Sequence, residues 1–518
     1  MTADKIDLQE ARTIFATHRN RWKVRRADKI SFIVDADDYF RTLRSILIRS
    51  KREVLLIGWD FDFEIDMLPG ESDEGGIASD GWPNQLGPFL EAIVEHAPNL
   101  DIYMLKWNGA ALIAPGRLLP TLALYAFGNE RIHFALDGHH PFGACHHQKI
   151  VVADGSFAFC GGIDVTESRW DTSEHLPQDP RRKRKDGTIS EPWHDATSVL
   201  TGPVAAALGD LSRTRWSRAT GDTIARPTNV AAIDWPDDLR VDGEHIDVAI
   251  ARTEPPYDGE PLVNEIENLT LASIAAAEKS IYIESQYFAA QKVSEALKSR
   301  LEEHDGPEII VINPESALSQ FEDQAMHVLR GRVINDLKQS DHQDRFRIYY
   351  PVNDADEAIY VHAKVVIVDD QILKIGSSNM NDRSMGFDTE CDVAIADHND
   401  IIAKVRTRLL SEHLNVQPSV VETTLDKHQS LIATIEQLNP DNGRRLRQIE
   451  QQPEGKIGKF LADTRMMDPR YLRGEATSTG EGVRPRHLAA AGGAGLLAVL
   501  GWQLWKRWKS SSDKNAKH

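Results

Sequence analysis

HHQKIVVADGSFAFCGG (146–162) and YVHAKVVIVDDQILKIGSSN (360–379) are two copies of one pattern. In each, His and Lys stand two apart, four apolar residues follow, and an Asp precedes a tight turn. His147, Lys149 and Asp154 recur as His362, Lys364 and Asp369, with the same offset of 215 residues for the His pair and for the Asp pair. Gly162 falls opposite Ser377 at that offset. Both copies read as strand, turn, strand. With 19 His in the chain a single match would be a weak signal. A second copy in matched context marks a duplicated unit.

Working outward, the flanks of both copies alternate helix and strand. Asp37 and Asp38 open a helix with Phe40, Leu43, Ile46 and Leu47 on one face. A buried strand, Val54 to Ile57, follows, then a loop at 68–76 and a strand at 102–105. The second half repeats the scheme: a helix over 265–277, strands at 281–284 and 309–312, and a helix near 320–338. This alternation predicts an α/β layered fold. We place an N-terminal lobe at 1–230 and a C-terminal lobe at 243–420, joined through the Thr-, Pro- and Asp-rich stretch 218–242. A polar helical extension at 421–475, with Val405, Leu409 and Leu410 on the apolar face of the helix before it, leads to a connector at 476–487.

Side chains two apart on an extended strand project to one face. His147 and Lys149 therefore point together, as do His362 and Lys364. A Lys beside a His on a half-buried strand is costly unless an anion meets it, and phosphate is the natural guest. Two such pairs facing one phosphodiester supply a full reaction. One imidazole attacks phosphorus; the other protonates the leaving alkoxide and then deprotonates the incoming water or alcohol. The two lysines stabilise charge on the non-bridging oxygens. This chemistry requires no metal or other cofactor, and no Asp/Glu/His run has metal-ligand spacing. Asp154 and Asp369 complete the motif and are counted with the catalytic set. Each also sits at a strand end before a turn, where Asp often bonds local backbone, so a supporting role fits them equally.

The segments 146–172 (HHQKIVVADGSFAFCGGIDVTESRWDT) and 360–390 (YVHAKVVIVDDQILKIGSSNMNDRSMGFDTE) resemble the two signature regions of the phospholipase D superfamily. IYIESQYF (281–288), GWDFD (58–62) and EPWHD (191–195) are similar to segments of its phospholipid-cleaving branch. The resemblance spans roughly residues 30–415. It implies a bilobal, duplicated α/β/α sandwich with one active site at the pseudo-twofold lobe interface. It implies His147 as nucleophile, His362 as general acid/base, and Ser377 and Asn379 on the phosphate side. It also implies that Glu390 orients the second histidine; for the first, Asp171 is our candidate. Gly161, Gly162 and Asp164 stand where a Ser/Asn pair would repeat. Gln286 and Tyr287 read as pocket lining or packing. His146, His175 and His194 read as loop or supporting residues, and Trp59, Trp107 and Trp193 as core or pocket wall.

The expected activity is hydrolysis or head-group exchange of glycerophospholipids. The alternatives are a cardiolipin synthase-like phosphatidyltransferase and a phosphodiesterase or nuclease of the same superfamily. The first type usually begins with hydrophobic helices, which this N-terminus lacks. A net charge of -19 weighs against the nuclease, because binding through many phosphates calls for a basic face. A dead scaffold is set aside because both motifs are intact. The basic run Arg181 to Lys185 reads as a solvated loop or a contact for anionic head groups. Three scattered cysteines argue against a disulfide framework or a structural zinc site built on Cys. No secretory signal is seen. LAAAGGAGLLAVLGWQLW (488–505) would span about 27 Å as a helix, near the roughly 30 Å of a hydrocarbon core. The expectation is a monomeric enzyme on the cytoplasmic side of a membrane, anchored or peripheral through that segment, with a phospholipid substrate and no nucleic-acid partner.

Overall fold

The apolar runs of both halves become neighbouring strands of one sheet. The computed structural model describes residues 14–109, 128–228, 230–316, 320–396, 400–450, 456–465 and 467–470. The first half contains β1 (Lys23–Val34), β2 (Glu53–Gly58), β3 (Asp101–Trp107), β4 (Ile132–Asp137), β5 (Ile150–Ala153), β6 (Phe157–Gly161), β7 (Trp193–His194) and β8 (Ala196–Thr201). The second contains β9 (Gly243–Glu254), β10 (Val263–Asn264), β11 (Ser280–Glu284), β12 (Glu308–Ile312), β13 (Phe346–Val352), β14 (Tyr360–Val361), β15 (Val365–Val368), β16 (Ile372–Gly376), β17 (Glu390–Ala396) and β18 (Arg445–Gln448).

The sheet runs β18-β13-β12-β11-β15-β16-β17-β9-β1-β8-β6-β5-β2-β3-β4, with β10 beside β9. Its order is symmetric about the antiparallel β9–β1 junction, which extends from Lys23↔Ile250 to Ile30↔Gly243. Outward from that seam lie β17, β16, β15, β11, β12 and β13 on one side, and β8, β6, β5, β2, β3 and β4 on the other. In both halves the motif strand pairs antiparallel with a strand that begins a parallel trio. The 215-residue repeat is thus a pseudo-twofold in space.

Alternation along the strands explains the layers. Val54 and Leu56 pack with Phe40, Leu43 and Leu47 of α1 (Ala36–Arg49) and Phe89 and Leu90 of α2 (Leu86–His96). Leu55 and Ile57 face the opposite way, toward Leu208 and Leu211 of α3 (Pro203–Thr220). In the second half Ile281 and Ile283 pack with α4 (Glu265–Ala276), α5 (Gln291–Glu302) and α6 (Gln320–Ser340). Tyr282 and Ile310 join the face covered by α7 (Ile401–Leu414), α8 (Pro418–His428) and α9 (Leu431–Leu438). That last cluster is continuous across both halves. Each fully buried aliphatic side chain contributes about 1.5–3 kcal/mol, so the seam is held by sheet ladder and core together. The fold is the expected α/β/α sandwich.

Gly221, at φ 84, ends α3 in the left-handed conformation that suits glycine. The described residues from there to Asp242 carry no helix or strand. The extension after α7 is not helical throughout: Arg445–Gln448 adds β18 to the free edge of β13. RLRQ buries a single apolar residue, Leu446, too little for a period to show. No helix among the described residues is long and apolar enough to cross a membrane; the connector at 476–487 and the apolar segment at 488–505 lie outside them.

Candidate active site

The His and Lys of each motif stand just ahead of the ladder rather than in it. β5 begins at Ile150 and β15 at Val365, so His147/Lys149 and His362/Lys364 occupy extended lead-ins. These lead-ins cross to the other half. β14 pairs parallel with β7, setting Val361 opposite His194, and the His362 N–H donates to the His194 carbonyl at 2.8 Å. In the other crossing His146 bridges Thr389 in parallel, and the His147 N–H donates to the Thr389 carbonyl at 2.9 Å. Asp195 follows His194 and Glu390 follows Thr389. Each crossing therefore delivers one half's acid to the other half's histidine. Asp195 Oδ2 lies 2.7 Å from His362 Nδ1. Glu390 Oε1 and Oε2 each lie 3.1 Å from His147 Nδ1.

These partners fix the tautomers. His147 Nδ1 also lies 3.0 Å from the Ser377 carbonyl, which can only accept, so Nδ1 carries the proton and Nε2 keeps its lone pair. Asp195 does the same for His362. Burial, reinforced by Lys149 and Lys364, holds the pKa of His147 well below its ordinary value. Burial with Lys364, Arg169 and Lys149 does so for His362. Both imidazoles are thus neutral bases before substrate arrives. Burial pulls Lys364 down to about 7, with Asp195 opposing and Lys149 adding to the fall. Burial pushes Glu390 up to about 8, against the hydroxyls of Ser377 and Ser384 and the charge of Lys149. The exchange of acids between the halves brings both motifs to one site.

The lysines are held as well. Lys149 Nζ donates to the His147 carbonyl at 2.9 Å and lies 3.2 Å from Asp164 Oδ2. Lys364 Nζ donates to the His362 carbonyl. Trp193 stacks on Tyr360 with ring centroids 4.7 Å apart and lies 5.1 Å from the His362 ring. The guanidinium of Arg169 lies over the Trp193 ring, 4.3 Å from its centroid. Glycine is required at 162, because a Cβ there would land on the Asp195 carboxylate. In the second copy Ser377 takes that place and donates its hydroxyl to Glu390. The asymmetry of the two copies thus follows from how each seats its acid.

A family model described as "Cardiolipin synthase, PLD-like domain" matches residues 270–412. Phospholipase D1 of Saccharomyces cerevisiae is 22% identical over 551 residues, covering 86% of this chain and 32% of the yeast protein. Phospholipase D alpha 1 of Carica papaya is 25% identical over 487 residues, covering 67% of this chain and 59% of the papaya protein. Residues 270–412 thus match a phospholipase D-like domain, and most of the chain is similar to phospholipase D proteins. The chain spans 32% of the length of the yeast relative and 59% of that of the papaya relative. The crystal structure of phosphatidylserine synthase from Haemophilus influenzae shares the fold, with a TM-score of 0.54 at 11% identity, covering 88% of this chain and 97% of that one.

The two orienting acids differ from the sequence expectation. Glu390 serves His147, not His362, because the lead-in before His147 pairs with Thr389. Asp171 does not reach His147: its carboxylate takes His175 Nδ1 at 3.0 Å, Arg182 Nη1 at 3.0 Å and the Trp193 N–H at 2.8 Å. The partner of His362 is Asp195, which the sequence showed only as part of EPWHD. Asp154 and Asp369 turn away from the histidines. Asp154 accepts from the N–H groups of Lys51, Arg52 and Glu53, and Asp369 from those of Glu278, Lys279 and Ser280. Each thereby ties its turn to the start of the neighbouring strand. Ser377 sits beside Glu390, as above. The Asn379 N–H bonds Ser384 Oγ at 3.1 Å, and its amide reaches Gln286 at 3.5 Å. Gln286 in turn donates to Tyr287 and Tyr360 at 3.1 and 3.0 Å. The basic run is not a free patch: Arg181 pairs with Asp179, Arg182 is buried on Asp171, and Lys185 meets Asp62 and Glu64.

Proposed function

We propose that the protein is a phospholipase D-type enzyme that cleaves glycerophospholipids at the head-group phosphodiester through a phosphohistidine. His147 Nε2 attacks phosphorus while the bond to the head-group oxygen breaks, and that oxygen takes a proton from the His362 imidazole. Burial and the nearby positive charges keep His362 unprotonated in the free enzyme; the phosphodiester anion between Lys149 and Lys364 offsets those charges, so His362 takes up its proton on substrate binding. Water or an alcohol then returns a proton to His362 and attacks phosphorus, and the P–N bond to His147 breaks. The products are phosphatidic acid or a new phosphatidyl alcohol. The lysines stabilise charge on the non-bridging oxygens throughout. His147 suits the nucleophile's part because its side chain keeps 15% exposure against 5% for His362.

The observation that carries this reading is the reciprocal delivery of Glu390 to His147 and Asp195 to His362, which leaves two free Nε2 atoms beside two lysines. The relatives named above support the lipid substrate. The match of 270–412 to a model described as cardiolipin synthase favours one second reading, in which the acceptor is an alcohol borne by another lipid. We also assign the segment at 488–505 as the attachment to the cytoplasmic face of a membrane.

The test offers mixed phospholipid vesicles with and without a primary alcohol and identifies the products. Wild type is expected to release phosphatidic acid and to divert to the phosphatidyl alcohol when alcohol is present. His147→Ala and His362→Ala are each expected to lose about 10²–10⁴-fold in rate. Full activity in either variant, or cleavage at the acyl esters, refutes the reading.

A further inference from the structure

Beside the acid/base pair four segments far apart in sequence meet in a second cluster. Asp35 lies in the turn before α1, His175 in the loop after the first motif, His194 in β7 and Glu412 in α7; all are buried or nearly so. One ligand-type atom from each lies within 4.8 Å of the others. His194 Nδ1 is 2.7 Å and His175 Nε2 is 3.2 Å from Glu412 Oε1. His194 Nδ1 is 3.4 Å from Asp35 Oδ1, and His175 Nε2 is 3.7 Å from Asp35 Oδ2. These distances, taken over both Asp35 oxygens, bracket the roughly 3.3 Å between ligand atoms of a tetrahedral ion with bonds of about 2.0–2.1 Å.

Two further observations point to a cation. The second nitrogen of each imidazole is already bound to another carboxylate: His175 Nδ1 to Asp171 Oδ2 at 3.0 Å, and His194 Nε2 to Glu284 Oε2 at 2.9 Å. Both carboxylates are themselves anchored, Asp171 by Arg182 and Glu284 by His413 at 3.0 Å and the hydroxyl of Tyr282 at 2.5 Å. Outer carboxylates of this kind orient metal-bound imidazoles. Asp35 Oδ2, moreover, is buried without a hydrogen-bond partner, and Asp35 stands at the N-cap of α1 yet makes no side-chain cap bond. The nearest cationic group to that oxygen is the His175 ring at 3.7 Å, beyond hydrogen-bond reach, so the buried oxygen is poorly compensated, and an ion in the cluster would meet it at bonding distance.

We propose that Asp35, His175, His194 and Glu412 hold one four-coordinate divalent transition ion of the zinc type. Two imidazole nitrogens and two carboxylate oxygens suit zinc. The ion displaces the proton on His175 Nε2 and that on His194 Nδ1, two protons out for two charges in, so the charge of the cluster is unchanged. All four ligands come from the protein and the cluster is closed, so the role is structural. The ion ties three residues of the first half to Glu412 of the second. Asp195 is next to His194, its N–H donates to Asp35 Oδ1 at 3.2 Å, and its carboxylate holds His362. The four ligands are thus positioning residues for the acid/base, and the proposal does not depend on which phosphodiester is cleaved.

The test uses the full, tag-free chain, stripped with chelator, reloaded with zinc and passed through gel filtration before elemental analysis. The expected result is about one zinc per chain, a visible cobalt absorption of tetrahedral intensity when cobalt replaces zinc, and a melting temperature that rises on reloading. Asp35→Asn and Glu412→Gln are expected to weaken zinc binding by about 10–100-fold. The wild-type stoichiometry decides the matter even where a variant fails to fold. Less than about a tenth of an ion per chain, or one ion per chain retained at equal affinity by both variants, would overturn the proposal and leave the cluster bridged by protons alone.

Discussion

Lys364 is the residue whose charge the pocket controls most directly. Burial brings its pKa to about 7 in the free enzyme, and it must be protonated to receive a phosphate anion. A group with a lowered pKa loses its proton as pH rises through that value, so kcat/KM on a soluble diester should decline above about pH 7. The bound anion restores the proton, so kcat should hold to higher pH than kcat/KM. Lys364→Arg, which does not deprotonate, should remove this limb; a limb unchanged in that variant would assign it to another group. At this scale the sequence was informative for His147, Lys149, His362 and Lys364, because spacing and duplication both mark them. It misplaces the acids: Glu390 serves the other histidine, Asp171 serves neither, and Asp195 goes unmarked. The family resemblance points Glu390 to the histidine of its own half. The exchange is made by backbone pairing at Thr389 and His194, which no side-chain pattern displays.

The elements explain why Asp belongs to the motif without touching the histidines. Asp154 and Asp369 have φ of 50 and 54, in the left-handed region that Asp and Asn tolerate better than most residues. Each gathers three backbone N–H groups at the start of the adjoining strand. Asp154→Asn keeps the backbone conformation but loses charge and acceptor capacity. It should lower stability by about 1–3 kcal/mol, measured by denaturant unfolding, while kcat of the folded protein stays within about twofold. A loss of kcat comparable with that of His147→Ala would return Asp154 to the catalytic set. Strands with dense apolar runs, such as β2, β11 and β12, were legible in the sequence. The central pair β1 and β9 was not, since KVRRADKISFIV and GEHIDVAIARTE mix charge with apolar residues along one strand. Their identity comes from pairing with each other across the seam.

The whole molecule combines two halves around one site, and the 215-residue repeat makes that arrangement legible in the sequence. The seam cluster was not, because its ligands come from residues 35, 175, 194 and 412 and no local spacing links them. Removal of residues 485–518 should lower membrane association while leaving turnover of a soluble diester; unchanged vesicle partitioning would contradict the anchoring role assigned to 488–505. The central claim is one composite site in which His147 becomes covalently phosphorylated and His362 serves as acid and base. Rapid quenching of His362→Ala during turnover of a nitrophenyl phosphodiester tests it most directly. The good leaving group makes the acid unnecessary for attack, whereas release of the adduct still needs the missing base. The account predicts an acid-labile adduct that accumulates to about one per chain on the peptide carrying His147 and is absent in His147→Ala. Release of nitrophenol with no adduct on that peptide would contradict it.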